Sequence, residues 1–190
     1  MGRYFYFVIC IFILCVLVLC LIIGTGKPQY SSFVNVPLPQ SPNMIPDEKC
    51  VCVFDIDGTL CGKTIFAMEE CKKSGCRIAL NTARPSNYLE DIDIEKWGLK
   101  YLSEEDHYFN PNSYSQTLDE IANTKAMYLR NIELKYKIKN PKCIILFDDL
   151  ASNIKASKNA GYSTILASHD EKCGISESGI VETRRIVSEC

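Results

Sequence analysis

The first 46 residues contain no aspartate and no glutamate, and only Arg3 and Lys27 are basic among them. Residues 4–23 carry no charge at all and are rich in Phe, Ile, Leu, Val and Cys. Roughly 20 apolar residues cross a bilayer core as a helix. Apolar side chains on every face argue against a buried helix of a soluble domain. The competing reading is a cleavable signal peptide, whose apolar region is shorter, roughly 7–15 residues. Residues 1–23 therefore read as a transmembrane helix or signal anchor, with a side-of-membrane bias of about one charge toward a cytoplasmic N-terminus. Cleavage at Gly24-Thr25-Gly26 would instead release a secreted protein. Tyr6 stands where an N-myristoylation motif needs Ser or Thr.

Other absences narrow the class further. No Asn-x-Ser/Thr sequon occurs, so glycosylation lends no support to a lumenal domain. No internal repeat occurs. Cys50-x-Cys52 and Cys71-x4-Cys76 lack a second pair or histidine partners at zinc spacing, which argues against a zinc site. From Asp47 onward 19 basic residues face 23 acidic ones, a net of −4. A nucleic-acid-coating protein would show a basic excess, so nucleic acid is not an expected partner.

Cysteine, by contrast, is abundant, with eleven in the chain. Cys10, Cys15 and Cys20 lie in the apolar segment and act there as small hydrophobes. Of the other eight, Cys52 and Cys143 sit in apolar runs and read as core. Disulfides are open if the domain lies outside the cytosol. Their pairing is not legible from sequence.

Residues 24–46 hold five of the eight prolines and read as a Pro-rich linker. Residues 47–190 read as the folded domain. Apolar runs at 50–54, 77–80 and 143–147 read as buried strands, and 162–167 as a further strand. Helical spacing covers 64–73, 86–97, 116–134 and 150–160, the third with a stripe of Leu118, Ile121, Leu129 and Ile132. Between them, 99–115 holds a short strand near 100–102 and then a polar loop. His107, Tyr108 and Tyr114 read there as ordinary loop residues, with substrate contact as the competing reading. A last element falls near 180–187. Strands alternating with helices predict an α/β domain with a parallel sheet covered on both sides.

Three of the strands end in polar groups: Asp55 and Asp57 after the first, Asn81 and Thr82 after the second, Asp148 and Asp149 after the third. Gly58 permits a sharp turn behind Asp57, and the Thr59 hydroxyl is placed to bond within it. Parallel strands with right-handed crossovers align their carboxyl ends on one edge. Four carboxylates then share a small volume and repel unless a cation neutralises them. Hard oxygen ligands of this kind suit Mg²⁺. Lys125 falls on the apolar stripe of its helix, where a hydrophobe is expected. It reads as an ammonium directed over the strand ends, against the simpler reading of a side chain snorkelling at the stripe's edge.

The ordered set Asp55-x-Asp57-Gly58-Thr59, Thr82, Lys125 and Asp148-Asp149 resembles the haloacid dehalogenase-like superfamily over residues 50–167. The resemblance implies a Rossmann-like three-layer α/β sandwich with a mostly parallel sheet. It implies a Mg²⁺-dependent phosphoric monoester hydrolase that works through an aspartyl-phosphate. Asp55 would be the nucleophile and Asp57 the general acid and base. Asp55, the Asp57 backbone carbonyl, Asp148 and Asp149 would hold the metal. Thr82 and Lys125 would bind phosphoryl oxygens, with Lys135, Lys137 and Lys139 as alternatives to Lys125. An acid at position 57 favours phosphate ester hydrolysis within that superfamily. The fourth motif departs from the family pattern: Ser152 and Asn153 stand where a spaced second acid belongs. Only 24 residues separate Asp57 from Thr82, and 40 separate Arg84 from Lys125, so no inserted cap domain is expected. An open site suits a macromolecular or membrane-associated phosphorylated substrate. The competing functional readings are an anchored interaction module with this fold and little turnover, and a polynucleotide or phosphotransfer enzyme.

Overall fold

Val51–Phe54 consists of apolar side chains only, which suits a strand covered on both faces. In the computed structural model it is β1, the centre of a five-stranded sheet, and all four residues are buried. The structure describes residues 48–84, 106–110, 113–168 and 173–190. The apolar segment at 4–23, the linker at 24–46, the helix expected at 86–97 and the strand expected near 100–102 lie outside these residues. No helix among the described residues is long and apolar enough to cross a membrane. Residues Asn43–Cys190 form one compact unit.

The other strands are β2 (Arg77–Thr82), β3 (His107–Phe109), β4 (Ile144–Asp148) and β5 (Ser163–Leu166). Every pairing is parallel, in the order β3-β2-β1-β4-β5. β3 corrects the expected polar loop at 107–109. Three residues at a sheet edge give too short a pattern to separate strand from loop.

Among the described residues four α-helices follow strands: α1 (Thr64–Lys73), α2 (Leu118–Lys135), α3 (Ala151–Asn159) and α4 (Glu177–Ser188). The chain moves one way along the sheet from β1 to β3 and the opposite way from β3 to β5. Right-handed crossovers therefore set α1 on one face and α2 with α3 on the other. Consistently, α2 packs on α3, and α1 packs on α4. The stripe of α2 differs from expectation, since Leu118 is exposed and the buried set is Ala122, Lys125, Leu129 and Ile132. Leu118 opens the helix just after its N-cap Thr117, which makes a reciprocal capping box with Glu120. A capping box fixes where the helix starts.

All eight cysteines of residues 47–190 are paired. Cys50–Cys76 joins the starts of β1 and β2, and Cys52–Cys71 joins β1 to α1. Cys61–Cys173 joins the loop after β1 to the loop after β5, and Cys143–Cys190 ties the start of β4 to the chain's last residue. Cys52 and Cys143 are buried, as their apolar runs predict, but as half-cystines. Around Cys61–Cys173 the two backbones touch through a bridge between Gly62 and Gly174. A Cβ on Gly174 would lie 2.1 Å from the Cys61 carbonyl oxygen, so the close approach requires glycine there.

Candidate active site

The strand order reverses between β1 and β4, the place where open α/β sheets bind ligands beyond the strand ends. Phe54 pairs with Phe147 in register, and their rings stack at 4.3 Å. The next residues, Asp55 and Asp148, are thereby set side by side on a rigid apolar floor. The Asp55 amide donates to the Phe147 carbonyl at 2.9 Å, which continues the ladder up to the carboxylates. Asp55 is 5% exposed and Asp148 is fully buried.

Lys125 reaches both from α2. Its Nζ lies 2.7 Å from Asp55 Oδ1 and 2.6 Å from Asp148 Oδ2, with 1% of the side chain exposed. That burial rules out the snorkelling reading. Asn81, at the end of β2, donates its side-chain amide to the Lys125 backbone carbonyl at 3.0 Å and so sets the helix against the sheet. Asp148 is held on its other oxygen by the Leu150 amide at 2.9 Å and the Asn153 side-chain amide at 2.8 Å. Asn153 thus buttresses Asp148 from the first turn of α3, four positions beyond Asp149. An amide there supplies a donor that a second acid could not.

One ammonium serves two buried carboxylates. Burial pushes the Asp55 carboxyl up to about 7, with Lys125 pulling it down and the Asp148 charge pushing it up. Burial acts to lower the pKa of Lys125, but the flanking Asp55 and Asp148 outweigh it and raise it above the ordinary lysine value. The ammonium therefore stays charged, and the shortage of positive charge falls on Asp55.

Asp55, Asp148 and Asp149 each offer a carboxylate oxygen, all within 4.8 Å of one another. This donor set fits a hard divalent cation, which would supply the positive charge that Lys125 alone does not balance. The Asp57 carboxylate stands outside that cluster. It is half exposed and forms a two-pronged ion pair with Arg84, whose Nε lies 2.5 Å from Oδ2 while Nη2 pairs with Oδ1. Gly58 follows with φ +66°, the left-handed turn that ends the motif. Thr82 is buried at the end of β2, and its hydroxyl accepts the Arg84 amide at 3.1 Å. Thr59 differs from expectation: its carbonyl accepts from the Thr64 hydroxyl at 2.6 Å, while its own buried hydroxyl has no partner among the described residues.

The structure thus brings Asp55, Lys125, Asp148 and Asp149 into one cluster, while Arg84 links the Asp57 carboxylate to the buried Thr82 hydroxyl. Lys135 is engaged elsewhere, 3.5 Å from Asp106. Asn81, Arg84 and Asn153 gain partners in the site that spacing did not assign. The signals were faint: two polar residues on a strand end, an arginine two positions past Thr82, and an amide where an acid was looked for.

No family model matches the chain, and no curated protein matches it. Among solved structures it is similar to the core domain of a candidate phosphoglycolate phosphatase from Streptococcus pneumoniae TIGR4. That likeness has 15% identity and a TM-score of 0.49, and covers 75% of this chain and 98% of the other. A HAD-superfamily hydrolase from Ehrlichia chaffeensis gives 13% identity and a TM-score of 0.45, covering 71% of this chain and 62% of the other. A HAD hydrolase of family IA, variant 3, from Entamoeba histolytica gives 15% and 0.43, covering 68% and 61%. At these scores the likenesses carry no argument about chemistry. The solved structures that resemble this chain do include hydrolases of the haloacid dehalogenase superfamily.

Proposed function

We propose that the chain is a Mg²⁺-dependent phosphoric monoester hydrolase of the haloacid dehalogenase-like superfamily. The observation that carries this reading is the buried Asp55–Lys125–Asp148 cluster at the strand-order reversal, with Asp149 alongside. Buried carboxylates left short of countercharge are costly, and a site that binds a cation and a phosphoryl group gives them a use. Mg²⁺ held by Asp55, Asp148 and Asp149 would neutralise charge on the transferring phosphoryl group.

The chain's own residues divide the remaining work. Asp55 attacks phosphorus as its P–O ester bond breaks, and the leaving oxygen takes a proton from Asp57. Asp57, now ionised, accepts a proton from water as that water attacks the phosphoryl-aspartate. The Asp55–phosphorus bond breaks, and inorganic phosphate leaves. Lys125 and the Thr82 hydroxyl hold phosphoryl oxygens, and Asn153 fixes the orientation of Asp148.

The cysteines support a reading of the chain's placement. Four disulfides are characteristic of an oxidising compartment. We propose that the segment at 4–23 anchors the protein and that residues 47–190 face the oxidising side. This agrees with the charge bias toward a cytoplasmic N-terminus. A phosphorylated substrate, macromolecular or membrane-associated, would approach the domain there.

The test is hydrolysis of p-nitrophenyl phosphate by the full chain with Mg²⁺, with EDTA, and as Asp55→Asn. Turnover lost in both controls is expected. Turnover that survives Asp55→Asn would remove the nucleophile assignment and the reading with it.

A further inference from the structure

Arg84 grips both oxygens of Asp57 at the mouth of the site. On the phosphatase reading, on which this inference rests, Asp57 must face the ester oxygen to protonate it. With its carboxylate occupied by the guanidinium it cannot do so. The pair has to part during each turnover.

The position of Arg84 says what replaces Asp57. On that reading Asp55 faces the phosphoryl group; it is 5% exposed, whereas Asp57, two residues on, is half exposed. Whatever stands beside Asp57 on the outer side stands beside the alcohol half of the substrate. A guanidinium fork matches a planar carboxylate with two parallel hydrogen bonds. Arg84 already makes that contact with a side chain of this protein. A carboxylate on the substrate's alcohol would make it again, so one charge-assisted pair replaces another. A neutral alcohol would have to break the pair without replacement.

We propose that Arg84 selects phosphate monoesters whose alcohol carries a carboxylate close to the ester oxygen, and that seating this carboxylate frees the Asp57 carboxylate from the guanidinium, so that it takes up a proton from solvent and passes it to the ester oxygen. The Thr82 hydroxyl, by accepting the Arg84 amide, sets the backbone from which the guanidinium reaches outward.

O-phosphoserine and O-phosphoethanolamine differ only by one carboxylate and form the test pair, used with the Mg²⁺-loaded full chain in detergent. The expected kcat/KM for phosphoserine exceeds that for phosphoethanolamine on the order of 10- to 100-fold, the range for one charged hydrogen-bonded pair. Arg84→Ala should bring the ratio near unity. Arg84→Lys should keep a small part of it, because a point charge lacks the fork. Equal kcat/KM values in a wild-type chain that hydrolyses p-nitrophenyl phosphate would overturn the assignment, as would an undiminished preference in Arg84→Ala. Calorimetric binding of both esters to Asp55→Asn separates the two readings. Carboxylate-dependent binding by a chain that hydrolyses no ester would sink the phosphatase reading and leave Arg84 standing. Hydrolysis without any carboxylate preference in binding would sink the Arg84 assignment alone.

Discussion

Replacing Lys125 by methionine keeps most of the side-chain volume and removes the charge between Asp55 and Asp148. In the wild type both carboxylates lie within 2.7 Å of the ammonium, and all three side chains are at most 6% exposed. Removing one partner of a buried pair costs about 3–5 kcal/mol, because an uncompensated charge remains. Here two anions remain, and the desolvation recovered from the lysine offsets only one ion. A loss of about 4 kcal/mol is expected for the metal-free protein. At roughly 3 °C per kcal/mol for a domain of this size, the melting temperature falls by about 12 °C. Protonation of Asp55 relieves the repulsion, so the gap between variant and wild type should be wide near about pH 8 and narrow near about pH 5. Mg²⁺ at 100 times its dissociation constant adds about 2.7 kcal/mol to either protein. Thermal melts of the full chain in EDTA at both pH values, and then with Mg²⁺, measure all of this. A variant as stable as wild type in EDTA at the higher pH would refute the argument. An equal loss at both pH values would show that packing, not charge, was removed.

Two further outcomes are expected. Asp55 is raised from 3.8 to about 7 in the folded state, so the metal-free fold is fully favoured below the lower value and loses stability as pH rises through the upper one. Denaturant melts in EDTA should show that decline between these limits, and Mg²⁺ should flatten it; a metal-free stability that rises over the window would contradict the burial of Asp55. Cys61–Cys173 closes a loop across 112 positions, for which chain entropy gives about 5 kcal/mol. The double variant Cys61→Ser/Cys173→Ser should lose several kcal/mol in equilibrium unfolding, and an unchanged midpoint would deny that the bond contributes to the native state.

Much of this was written into local pattern. β1, β2 and β4 are short, largely apolar runs, and burial on both faces makes such runs legible without knowing their neighbours. The carboxylates were legible for the same reason, since each follows one of these runs directly. Lys125 stood out as a charge on an apolar stripe. What escaped depends on contacts far apart in the chain. The eight cysteines alone allow many pairings, and only the fold brings Cys61 to Cys173 or Cys143 to Cys190. Arg84 and Asn153 take their meaning from where Asp57 and Asp148 point, which spacing does not give. β3 escaped because an edge strand of three residues carries almost no periodicity.

The disulfides also decide what a protease can do to this domain. The loops closed by Cys50–Cys76, Cys61–Cys173 and Cys143–Cys190 overlap in series along the chain. Every peptide bond from Cys50 to Cys190 therefore lies inside at least one covalent ring. A single cut anywhere in that span opens a ring but releases no fragment. The stretch between Arg84 and Asp106 lies inside the ring closed by Cys61–Cys173, so a nick there leaves the carboxylates of β1 and β4 in one molecule. On a gel such a nicked chain runs as one band until a reductant is added, and only then separates into pieces.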